Sequence, residues 1–103
     1  MEVFDLNKIQ SFPYEKRDKN VFYLADEFKT RIINLSAGGE IPECVMSSYV
    51  IFYVIGGEAI VNINSEKKVI SPGMCLIAGP AKLSLKTNSG VKILGIQINK
   101  TGK

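Results

Sequence analysis

The sequence predicts an all-β domain built as two antiparallel sheets. Three observations carry that expectation. Apolar and polar residues alternate in short segments such as Ala59 to Ile63 and Lys82 to Lys86, the period of a strand with one buried face. Turn-forming clusters recur between the segments: Gly38-Gly39, Gly56-Gly57, Pro72-Gly73 and Asn88-Ser89-Gly90. No stretch longer than about a dozen residues keeps a helical period.

The elements follow in order. Residues 1 to 20 read as a polar arm anchored by Phe4, Leu6, Ile9 and Phe12. Pro13 and the run Lys16-Arg17-Asp18-Lys19 break any long element, and the one helical turn allowed lies within residues 5 to 11. The domain is expected to occupy residues 21 to 103. Val21 to Leu24 and Phe28 to Leu35 are rich in strand formers. Cys44 to Met46 is short, and Tyr49 to Ile55 is strongly β-prone. Gly56-Gly57 reads as a two-residue hairpin, since glycine accepts positive φ. Ala59 to Ile63 turns at Asn64-Ser65-Glu66 and returns as Lys67 to Ile70. Met74 to Ile77, Lys82 to Lys86 and Val91 to Ile98 complete about nine short strands, which argues a sandwich or barrel.

Composition narrows the function classes. A chain of 103 residues, 46% apolar and 22% charged, is one globular domain with one core. Its net charge of +3 is a mild bias, partly from Lys92, Lys100 and Lys103, and not an arginine-rich nucleic-acid surface. The longest apolar run, Tyr49 to Ile55, is far short of the ~20 residues that span a bilayer. The N-terminal residues lack the basic and apolar regions of a signal peptide. Cys44 and Cys75 form no close pair, so the expected setting is the cytoplasm, with reduced thiols.

The chain contains no histidine. Mechanisms of the Ser-His-Asp or Cys-His type are therefore excluded. The carboxylates Asp26, Glu27, Glu40, Glu43 and Glu58 all sit beside turn signals, where solvated side chains are expected.

The stretch Gly39 to Gly57, followed by Ser71-Pro72-Gly73 and Asn88-Ser89-Gly90, resembles the two motifs of the cupin family, written G-x5-H-x-H-x3,4-E-x6-G and G-x5-P-x-G-x2-H-x3-N. The resemblance covers about residues 28 to 98. It implies a double-stranded β-helix, the jelly-roll barrel of two antiparallel sheets. Laid on the pattern, the histidine positions fall at Cys44 and Met46, the glutamate at Val50, and the second motif's histidine at or next to Ser84. All four ligands of the family's metal are replaced, so no metal or other cofactor is expected. The histidine-dependent chemistry of the metal-free sugar epimerases in the family is excluded as well.

If Cys44 to Val50 is extended, residues 44, 46 and 50 share one face and point into the barrel. Phe52 shares the parity of Val50. The expected pocket is thus lined by Cys44, Met46, Val50, Phe52 and Ser84, mostly apolar and suited to an unidentified small molecule. Cys44 and Met46 are soft ligands that suit Cu(I), but free cysteine and methionine are ordinary core fillers. Lys82, Ser84 and Lys86 share a face. Inward they would make the pocket positive; outward, the preferred reading, the lysines lie on the surface. Tyr49, Ile51, Tyr53 and Ile55 make an outer face too apolar to leave in water, which predicts cover by the arm, a second sheet or a second subunit, and hence a homodimer. The leading expectation is a small-molecule binding or sensing module with no assignable catalysis. The alternatives are a metal-dependent oxygenase or isomerase with a sulfur-containing site, and an interaction module acting through its dimer surface.

Overall fold

The computed structural model describes residues 1–99; Lys100 and Lys103, and the expected domain end at 103, lie outside the described residues. A 3-10 helix, Tyr14–Asn20, precedes nine strands: β1 Val21–Leu24, β2 Phe28–Leu35, β3 Glu40–Met46, β4 Tyr49–Gly57, β5 Ala59–Ile63, β6 Glu66–Ile70, β7 Cys75–Ala78, β8 Ala81–Lys86 and β9 Val91–Ile98. They form a five-stranded sheet in the order β1-β2-β9-β4-β7 and a four-stranded sheet in the order β3-β8-β5-β6. Every strand pair is antiparallel. This is a two-sheeted jelly roll, and no hydrogen-bonded ladder among the described residues closes it into a barrel. No helix among those residues is long and apolar enough to cross a membrane.

The core lies between the two sheets because each strand sends alternate side chains inward. On β4, Val50, Phe52 and Val54 are buried while Tyr49 and Tyr53 stay exposed. Ile33 and Leu35 of β2, Val91 and Ile93 of β9, and Val61, Leu83 and Leu85 of the facing sheet complete the same cluster. β2 and β9 pair residue for residue from Phe28 with Ile98 to Leu35 with Val91, so the alternations of two strands reinforce each other.

Two expectations from the sequence are corrected. Gly56-Gly57 is not a hairpin. β4 and β5 lie in different sheets, and the glycines form the corner between them. Gly57 has φ +77°, and a Cβ there would fall 2.1 Å from the carbonyl oxygen of Gly90, so no other residue fits without moving the backbone. Turn chemistry states that a chain bends; it does not say which sheet the next strand joins.

The helix is also displaced. Residues 5 to 8 make only one hydrogen-bonded turn, with Lys8 N–H donating to Asp5 O at 3.0 Å. The helix forms instead after Pro13, whose missing N–H needs no partner at a helix start. Its far end is tied by Asn20, a buried amide. Asn20 Nδ2 donates to Phe12 O at 2.9 Å, and Phe12 N–H donates to Asn20 Oδ1 at 2.7 Å. The side chain thus mimics a backbone partner across the eight-residue span.

The rest of the arm lies on the outer face of the five-stranded sheet. Lys92 Nζ donates to Leu6 O at 2.9 Å, and Asn34 Nδ2 to Ser11 Oγ at 3.1 Å. Phe4 meets Phe22 edge-on, with centroids 4.8 Å apart, and Tyr23 stacks on Phe28. Ile32 faces this side and is nevertheless fully buried. The arm covers β2 and β9 but leaves Tyr49 and Tyr53 on β4 exposed.

A buried threonine joins three loops. Thr87 Oγ1 donates to Glu58 O at 2.6 Å and accepts from Gly90 N–H at 2.9 Å. Its backbone accepts from Gly38 N–H and donates to Gly39 O, both at 3.0 Å. The loops that turn the chain between the sheets are therefore pinned at one point.

Candidate functional site

The two sheets leave a pocket of about 260 Å³ at one end of the core. Its floor is apolar, made by Ile33, Ile41, Val50, Phe52 and Leu83. Cys44 and Met46 form one wall. The rim carries Tyr14, Arg17, Arg31 and Gln97.

A β-bulge builds the sulfur wall. Ile41 pairs with Leu85 and Cys44 with Leu83, so β3 spends three steps where β8 spends two. Ile41 and Cys44 consequently both face inward, although odd and even positions of a regular strand face apart. Pro42 sits in the bulge, where the lack of an N–H donor is tolerated. Cys44 Sγ lies 3.9 Å from Met46 Sδ and 3.7 Å from Leu83 O. The chain then passes through Ser47-Ser48 into β4, where Val50 and Phe52 point to the same space.

Four of the five residues expected at the pocket are thus brought together: Cys44, Met46, Val50 and Phe52. Ser84 is not among them. It pairs with Asn62 on the outer face of the four-stranded sheet and lines shallow surface hollows there with Lys86 and Lys82. Its neighbours Leu83 and Leu85 point inward instead, and Leu83 takes the wall position. The offset of one residue, left open by the sequence pattern, falls on the leucine. Lys82 and Lys86 are exposed, as the outward reading requires, and so are Asp26, Glu27, Glu40, Glu43 and Glu58.

Cys75 pairs with Tyr53 on the outer side of its sheet, opposite the pocket, so it cannot join Cys44 and Met46 around a metal. Where the cupin pattern has two imidazoles and a carboxylate, this wall offers a thiol, a thioether and an isopropyl group. Among the described residues no three or more histidine, cysteine, aspartate or glutamate side chains gather. These donors do not fit the family's metal.

The positive charge of the pocket comes from residues not singled out by the sequence. Arg31 Nη2 donates to Gln97 Oε1 at 3.3 Å. Arg17 stacks on the Tyr14 ring, 4.6 Å from its centroid, and donates to Tyr14 O at 3.3 Å. No acidic side chain lines the pocket, and the ion pairs among the described residues, Lys8 with Asp5 and Lys68 with Glu66, lie elsewhere. Arg31 was legible: it shares the parity of Ile33 and Leu35 on β2. Arg17 was not, because it belongs to an arm whose path over the domain no local pattern dictates. Gly95 faces the pocket opposite Phe52, and a Cβ there would fall 3.3 Å from Ile33 Cδ1 and 3.5 Å from the Phe52 ring. The glycine keeps this part of the pocket open.

Neither a protein-family model nor a curated protein matches the sequence. Solved structures do match. The chain superposes on TT1209 from Thermus thermophilus with a TM-score of 0.81, at 22% identity, over 95% of this chain and 97% of that one. A cupin superfamily protein from Desulfitobacterium hafniense gives a TM-score of 0.73 at 16% identity, over 78% of this chain and 74% of that one. An RmlC-like cupin from Shewanella frigidimarina gives 0.71 at 19% identity, over 76% and 71%. The chain therefore has the cupin fold, as the resemblance of its motifs implied.

Proposed function

We propose that this chain is a small-molecule binding or sensing protein on a cupin-type jelly roll that has lost the typical metal site. The observation that carries this reading is the pocket itself. An open, mostly apolar cavity with a few convergent polar groups is the general form of a small-ligand site. It lies where the family pattern places its ligands, at Cys44, Met46 and Val50, with Phe52 beside them. The reading takes the cytoplasm as the compartment, supported by two free, exposed cysteines.

Cys44 provides the test, because Cys75 on the opposite face is an internal control. A compound in the pocket is expected to slow alkylation of Cys44 without slowing that of Cys75, and to raise the melting temperature by mass action. A broad library of small neutral and charged compounds that changes neither quantity would end the binding reading.

A second reading, a homodimer acting through its surface, rests on a different observation. Tyr49, Tyr53, Ile77 and Ile98 are exposed, and no charged residue separates them on the outer face of β4, β7 and β9. Together they expose on the order of 400 Å², about half of the roughly 800 Å² that each partner buries in a stable interface. A second copy meets this face with no like charges opposed. Sedimentation of the native protein is expected to give a dimer, and of Tyr53→Glu with Ile77→Glu a monomer. A native monomer at micromolar concentration would refute it.

A further inference from the structure

The charges at the pocket rim define its ligand further, on the reading that the pocket binds a small molecule. We propose that the pocket selects a small organic carboxylate, with its anionic head at Arg31 and Arg17 and its apolar body against Val50, Phe52 and Ile41. Both charged groups lining the pocket are guanidiniums, and no carboxylate lines it. Arg31 is half-buried, and its one hydrogen bond goes to the neutral amide of Gln97. A guanidinium carries five N–H donors. A half-buried guanidinium with spare donors and no counter-charge is a ready partner for an anion.

The geometry suits a planar oxyanion. The stem of Arg31 lies beside Gly95, where a Cβ would fall 3.7 Å from Arg31 Cγ. Stacking on Tyr14 and the bond to its carbonyl hold the Arg17 guanidinium at the rim. Guanidinium groups pair bidentately with carboxylates. The amide of Gln97 accepts from Arg31 through Oε1, which leaves its NH2 as a further donor. Size and polarity exclude other anions. The cavity, about 260 Å³, lies just below the ~300 Å³ at which small-ligand pockets begin, too small for a nucleotide. The floor has no donors for sugar hydroxyls, and it would be left unfilled by inorganic phosphate.

The test measures binding of butyrate, hexanoate, benzoate and phenylacetate, of the matching primary amides, and of inorganic phosphate, by calorimetry and by Cys44 alkylation. Carboxylates are expected to bind, more weakly as salt rises, and amides and phosphate are not. Arg31→Gln is expected to weaken the carboxylates about 10- to 100-fold, as loss of a charged hydrogen-bonding partner implies, and Arg31→Lys less. Lys82→Gln, on the outer face, is expected to leave binding unchanged. A melting curve without ligand checks that each variant is folded, and Arg17→Gln repeats the test should Arg31→Gln fail to fold. Equal binding of amides, equal binding of phosphate, or full affinity in both arginine variants would overturn the assignment. Protection of Cys44 by neutral compounds alone would overturn it while leaving the binding pocket standing. No protection by any compound would remove both.

Discussion

Thr87→Val isolates one oxygen atom. Valine has nearly the shape of threonine, and the site is 2% exposed, so the substitution keeps the packing and removes the hydroxyl. Two backbone groups then lose their partner: the carbonyl of Glu58, 2.6 Å away, and the N–H of Gly90, 2.9 Å away. A buried group left unpaired costs about 1–3 kcal/mol. Glu58 is exposed, so water can reach its carbonyl, whereas Gly90 is half-buried. The expected loss is therefore about 1–3 kcal/mol, most of it at Gly90. Urea unfolding followed by tyrosine fluorescence reads this as a lower midpoint at unchanged slope. Because roughly 1 kcal/mol shifts the melting point of a domain this size by about 4–8 °C, thermal melts should fall by at least about 4 °C. Thr87→Ser keeps the oxygen and should retain most of the stability. A Thr87→Val protein within about 0.5 kcal/mol of the parent, the range of a neutral surface change, would refute the claim that this hydroxyl pins the loops.

Other perturbations have defined outcomes. Ser65 has φ +73° in the two-residue turn between β5 and β6, a conformation that costs a non-glycine residue about 1–2 kcal/mol. Ser65→Gly should stabilise by about 0.5–1 kcal/mol, part of the gain being offset by a freer unfolded chain, and an unchanged urea midpoint would contradict the turn geometry. Gly57→Ala adds the same kind of strain to a collision with the Gly90 backbone, so a loss of about 3 kcal/mol or more is expected in the same assay. Asn20→Ala frees both backbone groups of Phe12, and hydrogen exchange should accelerate at the Phe12 amide while the amides of β9 keep their protection.

The strands were the legible part of the fold, because burial on one face writes a period of two into the sequence. β2 and β9 begin and end where the residue pattern says, since each is long, β-branched and flanked by turn residues. The residue pattern predicts β3 as only Cys44 to Met46, because Pro42 and two glutamates interrupt it, and the structure carries it back to Glu40 by absorbing Pro42 in a bulge. Partnership between strands was not legible at Gly56-Gly57, since a corner and a hairpin require the same glycine conformation. At the pocket, Cys44, Met46, Val50 and Phe52 followed from parity and the motif spacing. Ser84 failed because the offset across Gly79-Pro80-Ala81 changes parity, and a single step exchanges the faces of a strand. The grouping of the two arginines is not legible for another reason. They sit on different elements, one of them in the arm, and only tertiary structure makes them neighbours.

The bulge at Pro42 and Glu43 divides β3 into two halves that are out of phase. Upstream, odd positions face the core; downstream, even positions do. The chemistry of the pocket wall is therefore held by the bulge, which absorbs one extra residue, as well as by side-chain identity. Removing one residue between Ile41 and Cys44 would abolish the bulge and leave both halves in one phase, with Cys44 still opposite Leu83; straightening the strand without a deletion would instead rotate the downstream half, sending both sulfurs to solvent and bringing the side chain of Val45 inside. A position-by-position comparison of this strand with one that lacks the bulge must carry a one-residue gap there, or it sets outward residues against inward ones for the whole length of the wall.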